Sequence, residues 1–154
     1  MTDLEKLRAW IATYPAFDIL AHFQCDFTDN AVPNNAGLFP SGLEEVERRT
    51  YITGGIAVTN QYNFGLYCVF PKDPKDDIGA AVNAGWVMDF QLWVQEQSVR
   101  RLAPVFGDEP MRETIKAQNG TLYNVDEDGT VGVYMVQLAV QFIKKFKEEN
   151  PWLT

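Results

Sequence analysis

Histidine is almost absent from this chain: His22 is the only one among 154 residues. A histidine-based triad needs a nucleophile, a base and an orienting acid held together. Any such partners of His22 would come from distant strands, so it reads as a surface or hydrogen-bonded residue. Cysteine is scarce too. Cys25 and Cys68 sit at apolar positions of strand-like runs, with no CxxC or Cys/His spacing to suggest zinc. They read as reduced core thiols. Basic residues are few, 13 Lys and Arg against 21 Asp and Glu, for a formal net charge of −8. That argues against a surface built to grip a nucleic-acid backbone. No apolar run approaches the length of a membrane span. The start, MTDLEKLRAW, has neither a basic lead nor an unbroken apolar segment, so no signal peptide is expected and the chain reads as made in a reducing cytosol. Gly-rich phosphate loops are lacking: GDEP and GLFPSG have no strand–loop–helix context and no Lys. Carboxylates do cluster, at Glu44/Glu45, Asp76/Asp77 and Asp126/Glu127/Asp128. They fall in caps, turns and edges, where solvated charge is the norm, and the DEDG run lacks the longer ligand series of a calcium loop. No enzyme activity, cofactor or metal is therefore expected.

What is present suits one domain over residues 1–154. Apolar residues make up 46% and charged residues 22%, and the length is enough for a single core. The organising stretch is Asp76 to Leu102, the one long helical pattern. Ile78, Val82, Trp86, Phe90 and Trp93 recur at helical steps, which predicts a stripe facing a sheet. Asp76 or Asp77 caps its start, Arg100 and Arg101 suit its C-terminal end, and Pro104 stops it.

Around that helix the chain reads mostly as strands. Thr2 and Glu5 form a capping box for a first helix with Leu4, Leu7, Trp10 or Ile11, and Tyr14 on one face, ended by Pro15. Phe17 to Thr28 alternates as a half-buried strand, and DNAVPNNAG follows as a loop. Leu38 to Tyr51 admits two readings. Ser41 and Glu44 allow a short capped helix, but the Gly54–Gly55 pair ahead of a long strand pattern favours a strand leading into a hairpin. Its polarity on both sides suits an edge or a projecting arm. Ile56 to Phe70 is a long strand with Asn60 as its polar exception. Glu113 to Tyr123 is a weaker strand, DEDG a turn, and Val131 to Phe142 the last strand before a Lys-rich tail that ends in Pro151 and Trp152. The order α-β-β-β-α-β-β, with a mostly antiparallel sheet of four to five strands, an N-terminal helix and one long central helix, defines the class as α+β.

Several runs resemble a family of small phage and prophage proteins. They are the LEKLRAWI-like first helix, the GLFPSGLEEVERR run, TNQYNFGLY from Thr59 to Tyr67, FQLWVQEQS from Phe90 to Ser98, APVFGDEP and KAQNGTLY. These proteins are encoded among head–tail joining genes and are similar to minor capsid and tail-terminator proteins. The resemblance spans nearly the whole chain. It implies a tail-terminator-like fold and a structural virion protein of the tail or neck, made in the bacterial cytoplasm. Such a protein forms a hexameric ring that caps the tail tube and joins it to the head connector. Its implied partners are therefore copies of itself, the tail tube protein and the connector protein. No membrane and no sequence-specific nucleic acid are implied, although DNA passes through such a ring. Relatives also carry a chloramphenicol-resistance label. The acetyltransferase of that name uses an HHxxxDG motif, whereas here His22 is followed by FQCDF. The alternative functions are a small-molecule enzyme such as an acyltransferase, and a non-virion binding protein of similar fold. For subunit contact the candidate residues are Leu38, Phe39, Leu43, Val46, Tyr51 and Ile52, apolar side chains of an arm poorly placed to bury them.

Overall fold

The structure, a computed structural model, describes residues 2–20, 22–25, 34–71, 77–125 and 131–147. The expected Asp76 cap, the DEDG turn, Pro151, Trp152 and most of the DNAVPNNAG loop lie outside these residues, as does the side chain of Ile78.

Helix α1 runs Asp3–Ile11 and starts at the predicted capping box. Glu5 N donates to Thr2 Oγ1 (3.2 Å) and Thr2 N donates to Glu5 Oε2 (3.1 Å). Strand β1 is His22–Cys25; the expected Phe17–Thr28 does not hold at its start, and residues 26–28 lie outside the described residues. Phe17–Ile19 is a 3-10 turn instead. Leu20 N donates to Phe17 O and Phe17 N to Tyr14 O, both at 2.9 Å, so these backbone groups are satisfied locally rather than across a sheet. Phe17 and Leu20 are buried and Ile19 is exposed, a spacing of three that suits the turn.

Strands β2 (Asn35–Thr50) and β3 (Gly55–Pro71) form the predicted hairpin; the short-helix alternative at Ser41 does not form. Gly54 takes φ +89°, and Tyr51 N donates to Gly55 O (2.8 Å). This is a three-residue loop whose last position needs the left-handed region. Helix α2 is Asp77–Val99, followed by strands β4 (Thr114–Val125) and β5 (Val131–Lys147). The chain thus folds as α+β in the expected order. The five-stranded sheet runs β1-β2-β3-β5-β4; β1 is parallel to β2 and all other neighbours are antiparallel.

One face of the sheet carries the core. Phe64, Leu66, Cys68 and Phe70 of β3 lie beside Leu138, Val136, Tyr134 and Gly132 of β5, with Ala36 and Leu38 of β2 alongside. Val87, Phe90 and Val94 of α2 pack there together with Leu7 and Ile11 of α1. Trp10 and Trp93 stack at 4.9 Å, and Tyr14 sits among Trp86, Phe90 and Trp93. The indoles of buried Trp10 and half-buried Trp86 have polar partners, as buried N–H groups require. Trp10 Nε1 donates to Gln97 Oε1 (3.1 Å) and Trp86 Nε1 to Ala16 O (3.0 Å). Val82, expected on this stripe, is exposed. The helix is apolar on a second side as well, so spacing alone does not choose the buried one.

The C-terminus of α2 is a Schellman arrangement. Arg101 takes φ +58°, Leu102 N donates to Gln97 O (2.9 Å) and Arg101 N to Ser98 O (3.2 Å). The helix thus closes at Val99, before Pro104.

Candidate functional site

The described residues offer little that resembles a reaction centre. They hold no group of three or more His, Cys, Asp or Glu able to bind a metal. His22 lies in β1, and its side chain is outside the described residues. Cys68 is wholly buried, and burial pushes its thiol far above the usual range, so it is no thiolate nucleophile. Glu113 is a carboxyl held partly in the interior. Its Oε1 accepts from Phe106 N (2.7 Å) and Gly107 N (3.2 Å), and its Oε2 is buried with no hydrogen-bond partner. Burial raises its pKa, against those two N–H groups and the charges of Lys144 and Lys6. Both N–H groups belong to the α2–β4 connector, so this carboxyl ties the connector to the start of β4.

The surface that stands out is the end of the β2–β3 hairpin together with the last turn of sheet from β5. In register, Leu43 lies beside Tyr62 and Val140, Arg48 beside Val58 and Lys144, and Thr50 beside Ile56 and Phe146. Helix α1 reaches only the first of these rows, where Tyr62 Oη donates to Asp3 Oδ2 (3.1 Å). Beyond it, every β2 residue from Ser41 to Thr50 is exposed. These rows form a three-stranded arm.

The arm's local sequence accounts for its shape. Gly42 takes φ +94° in a bulge between Pro40 and Leu43, and a second irregularity lies between Glu45 and Glu47, with Val46 as the extra residue. Bulges of this kind bend and twist an edge strand. Charge pairs brace it along its length: Arg48 with Glu45 (2.7 Å) and Arg49 with Glu47 (2.8 Å). These pairs are exposed and contribute little stability. Because β1 pairs only as far as Leu38, the outer edge of β2 from Phe39 onward has no neighbouring strand among the described residues.

The six candidate interface residues divide. Leu43, Val46 and Tyr51 are about half exposed (57%, 48% and 47%), and Ile52 at the loop tip is fully exposed. Leu38, expected at the interface, is instead wholly buried in its own core, since it lies beside Leu66 under the helices. Phe39 points to the opposite face and makes an edge contact with Tyr67 at 5.1 Å, so it is half-buried. Phe146, missed from sequence, joins the exposed set. Its only signal is register: it follows Phe142 on the same side of β5 by four residues, past the end of the covered rows.

Parts of the β4 and β5 edges are covered. Ile115 N donates to Ser98 Oγ (3.1 Å) and Gln91 Nε2 donates to Ala117 O (3.1 Å), so α2 caps outward-facing groups of β4. The edge of β5 beyond Gln141 is met by the connector. Asp108 N donates to Ile143 O (2.7 Å), Lys145 N donates to Asp108 Oδ2 (2.8 Å), and Lys145 pairs with Glu109 (2.9 Å).

No described helix is long and apolar enough to cross a membrane. No protein-family model matches the chain, and no curated protein matches it.

Proposed function

We propose that this chain is a structural virion protein of the phage head–tail interface, a tail terminator or minor capsid protein that self-associates through its arm. The observation that carries the reading is the arm: Leu43, Val46, Tyr51 and Ile52 are exposed along and at the tip of a hairpin whose β2 edge has no neighbouring strand among the described residues. A lone edge strand of this length is a liability unless something covers it. Copies of the chain in a ring would cover it, and the resemblance of nearly the whole chain to head–tail joining proteins implies a ring of six. The tail tube protein and the head–tail connector protein are the partners on its two faces. Charge fits the same role, since a net charge of −8 suits a lumen that passes DNA without holding it. The role asks for no catalysis.

The test is genetic. Deleting the gene from an inducible prophage that carries it should leave filled heads and finished tails unjoined, and supplying the intact gene in trans should restore joining. Virions that join normally without the gene would exclude the role.

A further inference from the structure

The sheet has a second face, turned away from the helices, and its middle is built of carboxamides. On β3 the side chains that alternate with the core run Gln61, Asn63, Gly65 and Tyr67; on β5 their register partners are Gln141, Ala139, Gln137 and Met135. Gly65 and Ala139, small and in adjoining rows, floor a hollow of about 440 Å3. Ser41 closes its β2 side and Gln118 its β4 side, and the lining holds no charged side chain among the described residues. The charges that flank it stand on the outer strands and oppose each other in sign, Glu44 beside Gln61 and Lys116 beside Ala139. A solvated face ordinarily carries charge throughout, so a neutral amide patch at its centre is a specific feature.

Hydrogen bonds orient these amides. Gln141 Nε2 donates to Gln61 Oε1 (2.9 Å) and Gln61 Nε2 donates to Asn63 Oδ1 (2.7 Å), so the relay ends on the Nδ2 of Asn63. From β4, Asn119 Nδ2 donates to Gln137 Oε1 (2.8 Å), which leaves the Nε2 of Gln137. Two NH2 groups, one from β3 and one from β5, are thereby set as donors at the hollow. Tyr67 walls one end. Its ring leans back over Gly65, where an added Cβ would stand 3.0 Å from its Cε2. Phe39 and Tyr123 brace it from β2 and β4, their rings 5.1 and 5.3 Å away and nearly perpendicular to it. A ring held in this way offers contact area with little freedom left to lose on binding.

We propose that this hollow binds a neutral saccharide, a short run of pyranose rings lying across β3 and β5. A sugar hydroxyl both donates and accepts, which suits carboxamides and the Ser41 hydroxyl on either side of it. The C–H face of a pyranose ring is apolar and packs on an aromatic such as Tyr67. The volume is that of a small-ligand site, roughly 300–1,000 Å3. Other ligand classes fit less well. An anion would find no cation in the lining and a net charge of −8 around it. An ammonium group would meet the two oriented NH2 donors and no carboxylate. An apolar partner would bury the amides without hydrogen bonds. An extended peptide pairs through its backbone and seeks a sheet edge rather than a sheet face. The site shares no residue with Leu43, Val46, Tyr51 and Ile52, so it adds a ligand to the virion reading without depending on it.

Titration of the isotope-labelled full chain, followed by NMR, decides the matter. The probes are maltoheptaose, cellohexaose and chitohexaose, neutral chains that differ in linkage and in the N-acetyl group. At least one should bind with a dissociation constant on the order of 1 mM or tighter and shift the side-chain NH2 signals of Asn63 and Gln137. Gln137→Ala, at an exposed position, should keep the wild-type thermal midpoint and weaken that binding about five- to tenfold, the effect of one lost hydrogen bond. Tyr67→Ala should weaken it as much or more, with the midpoint followed alongside because the ring is half-buried. Ile52→Asp, at the arm tip, should bind like the wild type. Three results would overturn the proposal. They are no shift with any probe at about 10 mM, shifts confined to residues outside the hollow, or a Gln137→Ala variant that binds like the wild type. The readout needs no assembly, so saccharide binding can fail while the head–tail role stands, and the reverse.

Discussion

Gly107 shows how one missing carbon fixes a junction. A Cβ at this position would collide with the carbonyl oxygen of Ile143, which is backbone and cannot move aside cheaply. The connector crosses β5 there, and Asp108 donates its N–H to that same carbonyl. Gly107→Ala should therefore destabilise the fold by about 1–3 kcal/mol, read as a lower urea midpoint with an unchanged slope. Glu113 makes the neighbouring test. Its pKa is raised in the folded state, so the folded protein binds a proton more tightly than the unfolded chain. Its contribution is fully present below the ordinary carboxyl pKa and is lost as pH rises through the higher folded value. Relative to a Glu113→Gln variant, the wild type should lose stability between pH 4 and pH 7, and parallel urea titrations at those two pH values would show it. A constant difference between the two proteins would contradict the assignment.

Among the elements, α2 brings Val87, Phe90 and Val94 into the core. Trp93 is half-buried, stacked on Trp10 and in contact with Tyr14 and Phe90. Trp93→Ala should cost about 3 kcal/mol, the low end for a large aromatic because the ring is only partly covered. A thermal midpoint unchanged by the substitution would show that the ring is not packed. Elements were legible in the sequence where burial follows a single period. In β3 and β5 alternate residues enter the core, and the pattern Phe64, Leu66, Cys68, Phe70 states the strand outright. The capping box of α1 was legible because it is wholly local. The Phe17–Ile19 turn was not, since an alternating run also fits a spacing of three over so few residues. Nor was the parallel pairing of β1 with β2, which is a tertiary choice that neither strand encodes alone. On α2 the difficulty is two apolar sides. Val82 belongs to the exposed one, and only the sheet decides which side is covered. The arm was legible because charges interleaved with Leu43 and Val46 have no good place inside a sheet. Its inner limit was not: Leu38 lies on the same strand and belongs to the core.

For the whole molecule, the account turns on how copies meet. The sheet carries at one margin the arm, whose outer edge has no neighbouring strand among the described residues, and at the other a groove between α2 and β4. The most direct measurement is a cryo-microscopy reconstruction of the head–tail junction in particles from a prophage carrying this gene. The account predicts a ring of six copies between tail tube and connector, with Leu43, Val46, Tyr51 and Ile52 of each copy covered by its neighbour. A complete junction that contains no copy of this chain, or a ring in which Ile52 stands free in solvent, would contradict it.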